Sequence, residues 1–420
     1  MLDLAFIRKN PDVVRRAAQL KGETAPVDEI LRLDEAWRGH QHKAETIKAA
    51  QNELSREFAR TRDQSLKERL RDMADMAKSE LGVADAVKRE LDLLLLQVPN
   101  VFHESVPVGE TDADNVVVRE WGSKPDHGFA PRTHYDLGEA LGILDFEHAA
   151  RVSGSRFAFL LGEGARLERA LVQFMLDVHT REHGYTEVWA PMLVNSAAMV
   201  GTANLPKFAD QAFKVEDRDM WLIPTAEVPV TNFHREEILD GESLPRKYVA
   251  YAPSWRTEAG AAGKDTRGFI RLHQFSKVEL VKITTAEQSL EEFEKLTQDA
   301  EEILQRLGLH YRTLAMCTGD MGFAQYKKYD LEAWAPGLGR YLEVSSCSTF
   351  NDFQAMRANI RYRPARGAAP KFAHTINGSG LALTRTIDAI IETYQRGDGL
   401  ITVPEVLKPY MGGDGLIGAR

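Results

Sequence analysis

Apolar residues recur every seven positions from 27 to 98, a stretch with no proline and only two glycines. In its second half they form two interleaved series, at 66, 73, 80, 87 and 94 and at 70, 77, 84, 91 and 98, interrupted by Glu80. The first half is weaker, and a polar break over 61–65 separates the halves. Such heptads predict two antiparallel helices of roughly 30 residues each, paired as a hairpin. Residues 1 to about 26 precede it as a small helical cap.

The turn of this predicted hairpin carries an excess of positive charge. Residues 56 to 71 include six basic side chains but only three acidic ones, Glu57, Asp63 and Glu68. One interpretation is a solvated coiled-coil tip, and the other is an arm that contacts a phosphate backbone. The basic residues are Arg56, Arg60, Arg62, Lys67, Arg69 and Arg71.

The rest of the chain has the mixed pattern of an α+β protein. Residues 101–131 indicate a linker with short strands, and residues 132–420 combine amphipathic helices with alternating strands. The stretch 163–182 predicts a helix, and EVWAPMLV (187–194) predicts a strand that contains a proline. No sustained βαβ rhythm, GxxxxGK[ST] or GxGxxG occurs, which argues against a Walker or Rossmann nucleotide site. We therefore predict an antiparallel β-sheet with flanking helices.

The segment SWRTEAGAAGKDTRGFIRLHQFSKVE (254–279) is the most informative pattern. Two strand-like runs are joined by a loop rich in Gly, Ala and charged residues. Alternation in the second run predicts a buried face with Ile270, Leu272, Val278 and Leu280. The opposite face suits an extended ligand with anionic, planar and cationic or hydroxyl-bearing parts, such as a nucleotide that activates an amino acid. That face comprises Phe269, Arg271, His273, Phe275, Lys277 and Glu279.

Two further arginines could contact phosphate. Arg256 and Glu258 are placed on one face of the first run, where they could form an ion pair of little energetic value. Alternatively, the planar guanidinium of Arg256 binds an oxyanion. Arg385 lies near the start of a helix predicted within 377–394, after flexible glycines, and helix starts favour anions.

Two further segments, each with a glutamate close to hydroxyl side chains, complete the candidate chemistry. In RYLEVSSCSTF (340–350), Glu343 and the following serines lie on a predicted strand and could hold Mg²⁺ together with phosphate oxygens. Thr225 and Glu227 lie between two prolines, where the structural alternative is an edge strand or a turn that caps a helix.

The composition is that of an ordinary globular protein, 43% hydrophobic and 27% charged, and 420 residues suggest two or three domains. A net charge of −9 argues against a generally basic nucleic-acid-binding surface but not against a local basic patch. Cys317 and Cys347 fit no disulfide or metal pattern. With a polar N-terminus and no apolar run of membrane-spanning length, we expect a cytoplasmic protein.

Together these segments resemble a known family. SWRTEAG…RGFIRLHQFSKVE resembles motif 2 of class II aminoacyl-tRNA synthetases, GSGLALTRT (378–386) resembles motif 3, and residues 163–194 resemble motif 1. With TAE (225–227), GTANLPKF (201–208) and the hairpin, the resemblance is to the bacterial-type seryl-tRNA synthetase family, over essentially the whole chain. The chain departs from the family pattern at Trp255, where phenylalanine is frequent, and at Thr384, where glycine is common.

The resemblance implies ATP-dependent attachment of L-serine to serine-accepting tRNA through a seryl-adenylate, with Mg²⁺, in a homodimer built on motif 1. Residues 1–100 would bind the long variable arm of the tRNA through the hairpin of about 27–98, and residues 132–420 would be catalytic. Whether selenocysteine tRNA is also charged stays open.

The resemblance also assigns site residues. It implies catalytic roles for Arg256, Glu258 and Arg385, and Mg²⁺ binding by Glu343 and Ser346. It implies serine binding by Thr225, Ala226, Glu227, Glu279 and Ser379. It implies ATP binding by Arg256, Thr257, Glu258, Arg271, Leu272, Phe275, Glu343, Val344, Ser345, Ser346 and Arg385, and tRNA binding by the six basic residues of the hairpin tip.

Two other functions compete with this interpretation. A ligase with a synthetase-like core could charge a carrier protein, but the intact hairpin argues against it. A non-catalytic RNA-binding protein could be built on the arm, but the full set of charged motif residues argues against that.

Overall fold

The computed structural model describes residues 1–259 and 268–418. The loop predicted between the two runs of motif 2 falls on residues 260–267, outside the described residues. Two compact units divide the chain: Met1–Gln19 with Glu23–Pro99, and Leu20–Gly22 with Asn100–Arg420. None of the described helices contains a segment long and apolar enough to cross a lipid bilayer.

The first unit is helical, and its two long helices confirm the predicted hairpin. All the heptad positions of the second half are buried or half-buried. Glu80, the polar interruption, lies 2.6 Å from His40 Nδ1 on the facing helix, so each polar side chain of this pair has a partner. The amide of Gln51 bonds the carbonyl of Leu70 across 3.1 Å, which fixes the antiparallel register. The helices are α1 (Leu4–Lys9), α2 (Pro11–Leu20), α3 (Val27–Thr61) and α4 (Leu66–Leu95).

The second unit is built on an eight-stranded sheet of order β1-β10-β11-β12-β15-β9-β8-β4. Every neighbouring pair is antiparallel except β4 and β8. The stretch 101–131, predicted as a linker with short strands, supplies the edge strand β1. The sheet strands are β1 (Val116–Trp121), β4 (Thr186–Glu187), β8 (Arg246–Trp255), β9 (Gln274–Thr284), β10 (Tyr311–Ala315), β11 (Lys327–Ala335), β12 (Arg340–Thr349) and β15 (His374–Ala382).

Shorter strands and eight helices complete the described part of this unit. The strands are β2 (Leu144–Asp145), β3 (Phe159–Leu160), β5 (Leu193–Val194), β6 (Trp221–Leu222), β7 (Ile238–Asp240), β13 (Arg361–Arg363), β14 (Lys371–Phe372), β16 (Ile401–Thr402) and β17 (Leu416–Ile417). The helices are α5 (His134–Ala140), α6 (Glu147–Ser153), α7 (Gly162–Arg181), α8 (Ser196–Gly201), α9 (Glu227–Asn232), α10 (Ser289–Arg306), α11 (Phe353–Ala358) and α12 (Leu383–Thr393).

The main core lies between one face of the sheet and helices α7, α10 and α12. Leu171, Phe293 and Ile387 represent these helices in one buried cluster, which also contains Val278 and Leu280 of β9. Because side chains alternate along a strand, Lys277 and Glu279 must then point to the opposite face. Helices α7, α10 and α12 therefore do not cover that face, against which α9 and α11 pack at β9 and which has room beside them for a site.

Alternation in the second run of motif 2 is confirmed only from Gln274 onward. Before that point the chain bends: Phe269 donates its N–H to His134 Nε2, and His273 donates its N–H to the carbonyl of Arg156. These bonds go to other segments rather than to a partner strand, so Phe269 is buried in the main core instead of lying on the polar face. The first run also ends early, at Trp255, so Arg256 and Glu258 follow the strand rather than belonging to it.

Two other predicted elements are wrong in detail. The stretch 187–194 is not one strand, because β4 ends at Glu187 and β5 begins at Leu193, with Pro191 between them. Residues 377–382 belong to strand β15 rather than to a flexible glycine segment. A side chain at Gly378 would come within 2.8 Å of Cys347 Sγ, so this glycine serves close packing inside the sheet.

Candidate active site

A cavity of about 580 Å³ lies on the face of the sheet opposite the main core. Its walls bring together most of the side chains predicted from motifs far apart in sequence. Those that line it are Thr225, Glu227, Arg256, Glu258, Arg271, Leu272, Phe275, Glu279, Glu343, Val344, Ser345, Ser346, Ser379 and Arg385.

Two predicted residues do not line the cavity. Ala226 is fully buried in a neighbouring hydrophobic cluster. Thr257 is half-buried, and its hydroxyl donates to the carbonyl of Asp210 across 2.7 Å. Both are adjacent in sequence to cavity residues, so any contact with a ligand would have to come through the backbone.

One end of the cavity is cationic. The guanidinium of Arg256 lies 5.2 Å from the ring centre of Phe275. Arg271 contacts Glu258 across 3.4 Å. Arg385 donates from Nη1 to the carbonyl of Glu343 at 2.8 Å and from Nε to the carbonyl of Ile270 at 3.1 Å. Three fixed guanidinium groups around one cavity suit a ligand with several phosphate oxygens.

The other end is a polar floor centred on Glu279. The hydroxyl of Thr225 donates to Oε2 across 2.7 Å, and the amide of Asn377 donates to Oε1 across 3.3 Å. Lys277 forms an ion pair with the same carboxylate. Ser379 lies directly opposite Glu279 in the β15–β9 ladder. A buried carboxylate with this set of donors is held in one orientation.

Glu227 is the second carboxylate of this floor. The amide of Gln354 donates to its Oε1 across 2.6 Å, and Gln354 in turn accepts from the hydroxyl of Thr375 at 2.6 Å. Burial raises the pKa of Glu227 to about 7, and the negative charge of Glu279 adds to the shift. Glu227 therefore changes its charge close to neutral pH.

A β-bulge shapes the wall that carries Glu343. In the β11–β12 ladder Leu331 pairs with Ser345 while Glu332 pairs with Glu343, which leaves Val344 as the extra residue. One extra residue reverses the alternation, so Glu343 and Ser346, three positions apart, come to the same face. Desolvation disfavours the ionised form of Glu343, but the positive charges of Arg385, 3.3 Å away, Lys328 and Arg256 together outweigh it and lower its pKa.

The donor set on this wall fits a magnesium ion carried by a phosphate ligand. The described residues contain no group of three or more histidine, cysteine, aspartate or glutamate side chains arranged to hold a metal alone. Mg²⁺ commonly uses one or two protein oxygens and takes the remainder from water and phosphate. Glu343, ionised and facing the cavity beside Ser346, supplies such oxygens.

Comparisons with known proteins agree with this geometry. Residues 1–102 match the family described as the Seryl-tRNA synthetase N-terminal domain, and residues 213–394 match the tRNA synthetase class II core domain (G, H, P, S and T). A serine--tRNA ligase of Caldanaerobacter subterraneus is 55% identical over 97% of this chain and 97% of its own. The chain belongs to the seryl-tRNA synthetase family.

Solved structures of the seryl-tRNA synthetase family share the whole fold. The enzyme of Pyrococcus horikoshii, solved with ATP, has a TM-score of 0.94 at 39% identity and covers 99% of both chains. The cytoplasmic enzyme of Naegleria fowleri, solved with AMP, has a TM-score of 0.89 at 33% identity and covers 99% of this chain and 98% of its own. These matches confirm the predicted class II core with an N-terminal helical hairpin.

Three polar residues at the floor of the cavity were not predicted as site residues, namely Lys277, Asn377 and Gln354. The alternation of β9 did place Lys277 between Phe275 and Glu279, so the signal was present in the sequence. Asn377 and Gln354 gave no such signal, because each reaches the floor from a separate segment, β15 or α11.

The six basic residues predicted at the hairpin tip are all exposed. They lie on the last turns of α3, on the first turns of α4 or in the turn between them. Arg62 itself adopts a left-handed backbone conformation, with a φ of 55°, at the end of α3. The tip therefore presents its guanidinium and ammonium groups to solvent.

Proposed function

We propose that this protein attaches L-serine to serine-accepting tRNA in two steps, first forming seryl-adenylate from serine and ATP. The observation that carries the proposal is one cavity with three arginines at one end and the Thr225–Glu279 floor at the other. Such a cavity accommodates both halves of an aminoacyl-adenylate. Residues 1–100, with the arm of about 27–98, would bind tRNA, residues 101–131 would act as a linker, and residues 132–420 would be catalytic.

The first step needs no general base, because the serine carboxylate is already ionised when it attacks the α-phosphorus. Catalysis then depends on positioning and on offsetting charge at the phosphoryl group. Arg256 would contact the α-phosphate, while Arg271 and Arg385 would hold the outer phosphates. Phe275 would stack on the adenine, and Glu258, with the backbone of Thr257, would orient it.

Mg²⁺ would be held by Glu343 and Ser346, and when bound it would neutralise phosphate charge. Val344, Ser345 and Leu272 complete the nucleotide wall. The lowered pKa of Glu343 keeps its carboxylate ionised at neutral pH, which a cation ligand requires. The protein would thus contribute one charged and one neutral oxygen.

Serine would be selected through its hydroxyl group. Glu279 would accept a hydrogen bond from that hydroxyl, beside Thr225 and Ser379. An alanine in the same position would leave this buried carboxylate without one of its partners, and sites of this kind strongly reject such analogues. The backbone of Ala226 and the carboxylate of Glu227 would complete the amino-acid site.

We also propose a homodimer built around the motif 1 region. The segments flanking α7 carry large apolar side chains that are exposed in this chain, including Trp189, which is 85% accessible. Large apolar side chains exposed on a single chain are candidates for burial in an interface between subunits. The others are Val152, Phe159, Leu161 and Leu193.

The deciding experiment is ATP–pyrophosphate exchange with each of the 20 amino acids, followed by transfer to tRNA or to a carrier protein. We expect exchange with serine and transfer to serine tRNA. Exchange with serine but transfer only to a carrier protein would identify a carrier ligase. Failure to bind ATP would indicate a non-catalytic RNA-binding protein.

A further inference from the structure

Glu227 differs from its neighbour Glu279 in how its oxygens are used. Both Glu279 oxygens have donors from the protein, namely Thr225, Lys277 and Asn377. Glu227 accepts from Gln354 at Oε1, whereas its Oε2 accepts no hydrogen bond from residues 1–259 and 268–418. Because Glu227 lines the cavity, its second oxygen is the one available to a ligand.

The charge of the floor also calls for a cation. Two carboxylates, Glu227 and Glu279, face one ammonium group, that of Lys277, which already pairs with Glu279. Arg256 also acts on Glu227 electrostatically, but its guanidinium stacks near Phe275 at the phosphate end. An amino-acid substrate brings an ammonium group, which would balance the charge of Glu227.

The side-chain amide of Gln354, which donates to Glu227, is itself held in one orientation. The hydroxyl of Thr375 donates to Oε1 of Gln354 across 2.6 Å, which turns the amide nitrogen toward Glu227. A flipped amide would place its carbonyl oxygen against the carboxylate of Glu227, which is repulsive when that carboxylate is ionised. Gln354 is 1% exposed and Thr375 is equally buried, so neither is free to reorient into solvent.

We infer that Gln354, oriented by Thr375, is a positioning residue that holds Glu227 as an ionised acceptor for the ammonium group of the amino-acid substrate. The inference rests on the proposed function and adds to it a pair of residues on α11 and β15 that touch neither serine nor ATP. The amide donates to one carboxylate oxygen and leaves the other directed to the substrate.

The electrostatics of Glu227 agree with this role. Burial and Glu279 raise its pKa to about 7, while the Gln354 hydrogen bond, Lys277 and Arg256 oppose that rise. The remaining contact of the Gln354 amide is the carbonyl of Thr202 at 3.5 Å, which is uncharged. Removing the Gln354 donor would therefore raise the pKa further and leave more Glu227 protonated at pH 7.

The test is serine-dependent ATP–pyrophosphate exchange by the full-length Gln354→Met variant between pH 6.5 and 8.5. We expect the KM for serine to rise about ten-fold at pH 7, with the KM for ATP and kcat within two-fold of the wild type. As the pH rises the serine KM should recover toward the wild-type value, because Glu227 loses its proton. Gln298→Met, an exposed glutamine of α10, is the matched control.

Thr375 provides an independent test that does not remove the amide. Thr375→Val keeps the shape but loses the hydroxyl that orients Gln354, so the serine KM should rise several-fold with the same dependence on pH. Thr375→Ser restores the hydroxyl and should restore the wild-type KM. Thermal unfolding of each variant shows whether it is folded.

Two results would overturn the inference while leaving the proposed function intact. One is a serine KM at the wild-type value in folded Gln354→Met and Thr375→Val. The other is a loss that is independent of pH and equal for serine and ATP, which indicates a purely structural role. Absence of serine-dependent exchange in the wild type would instead reject the proposed function.

Discussion

Ser379 lies directly opposite Glu279 in the antiparallel ladder between β15 and β9. Directly opposite residues on neighbouring strands share a face, so motif 2 and motif 3 deliver their side chains to the same point of the cavity. Thr225 reaches that point from the segment before α9, and its hydroxyl lies 2.7 Å from Glu279. Sheet register, rather than proximity in sequence, assembles the amino-acid end of the site.

Glu279→Ala is expected to impair serine activation far more than folding. The substitution removes the acceptor proposed for the serine hydroxyl and leaves Lys277 without its ion-pair partner. We expect kcat/KM for serine in ATP–pyrophosphate exchange to fall about 100-fold or more, in line with sites that recognise a substrate hydroxyl.

The exposed Glu216→Ala variant is the control for that loss, since it removes a carboxylate outside the cavity. Serine-dependent exchange at the wild-type rate in a folded Glu279→Ala variant would contradict the assignment. Circular dichroism and thermal unfolding establish that the variant is folded.

Glu343→Gln is expected to weaken the use of magnesium. The β-bulge at Val344 places Glu343 on the same face as Ser346, and the neutral amide removes the one charged oxygen of that pair. The Mg²⁺ concentration for half-maximal ATP–pyrophosphate exchange should rise about ten-fold or more, because Mg²⁺ prefers charged oxygen ligands.

Glu332→Gln is a closely matched control for this effect. Glu332 lies directly opposite Glu343 in the ladder, but it bonds Arg312 across 2.7 Å and does not line the cavity. The proposed role of Glu343 is rejected if both variants show the same magnesium dependence.

The sequence predicted what depends on periodicity and motif residues. The heptad positions of the hairpin, the helix at 163–182 and the polar side of β9 from Phe275 to Glu279 are confirmed, because each follows from a local repeat. The bend before Gln274 was not predictable, since the N–H groups of Phe269 and His273 bond His134 and Arg156, more than a hundred residues upstream.

The site residues that were not predicted were missed for the same physical reason, contacts between segments far apart in sequence. Gln354 lies on the short helix α11 and Asn377 on β15, and neither sits in a pattern that indicates chemistry. Their roles arise from contacts with Glu227 and Glu279 across the folded sheet. The bulge at Val344 likewise depends on the pairing of β11 with β12, which the sequence of β12 alone does not reveal.

Asp388→Asn is expected to stabilise the protein at pH 8 more than at pH 5.5. Both Asp388 oxygens are buried without a hydrogen-bond partner among the described residues, and burial, opposed by His134 3.6 Å away, raises its pKa to about 7. A carboxyl group with a raised pKa contributes stability at low pH that is lost as the pH rises through 7. A rise of the pKa from 3.8 to about 7 corresponds to roughly 4 kcal/mol in the free energy of unfolding.

The neutral amide introduced by Asp388→Asn lacks that dependence on pH but remains an unpaired polar group. We therefore expect the stability difference between this variant and the wild type to become about 1–3 kcal/mol more favourable between pH 5.5 and 8, measured by denaturant unfolding. The exposed Asp126→Asn is the control. A difference that is constant between pH 5.5 and 8 would show that Asp388 is already ionised in the folded protein at pH 5.5, so that its pKa is not raised.

Neutralising the hairpin tip is expected to weaken tRNA charging without changing serine activation. In the triple variant Arg60→Gln, Lys67→Gln and Arg71→Gln, three exposed cations are removed close to the turn. The KM for tRNA should rise about ten-fold or more. The negative slope of log affinity against log salt should become smaller in magnitude by roughly 2 to 3, because a protein that neutralises fewer phosphates releases fewer counterions. ATP–pyrophosphate exchange should keep its wild-type rate.

The matched control for the tip variant neutralises three exposed basic residues farther from the turn, Lys48, Lys78 and Arg89. Both triple variants lower the charge of the arm by the same amount, so they differ only in where the cations are removed. We expect the control to raise the KM for tRNA less than the tip variant does, because phosphate contacts act at short range in salt. Equal effects in the two triple variants would mean that the tip has no special role and that general charge on the arm determines tRNA binding.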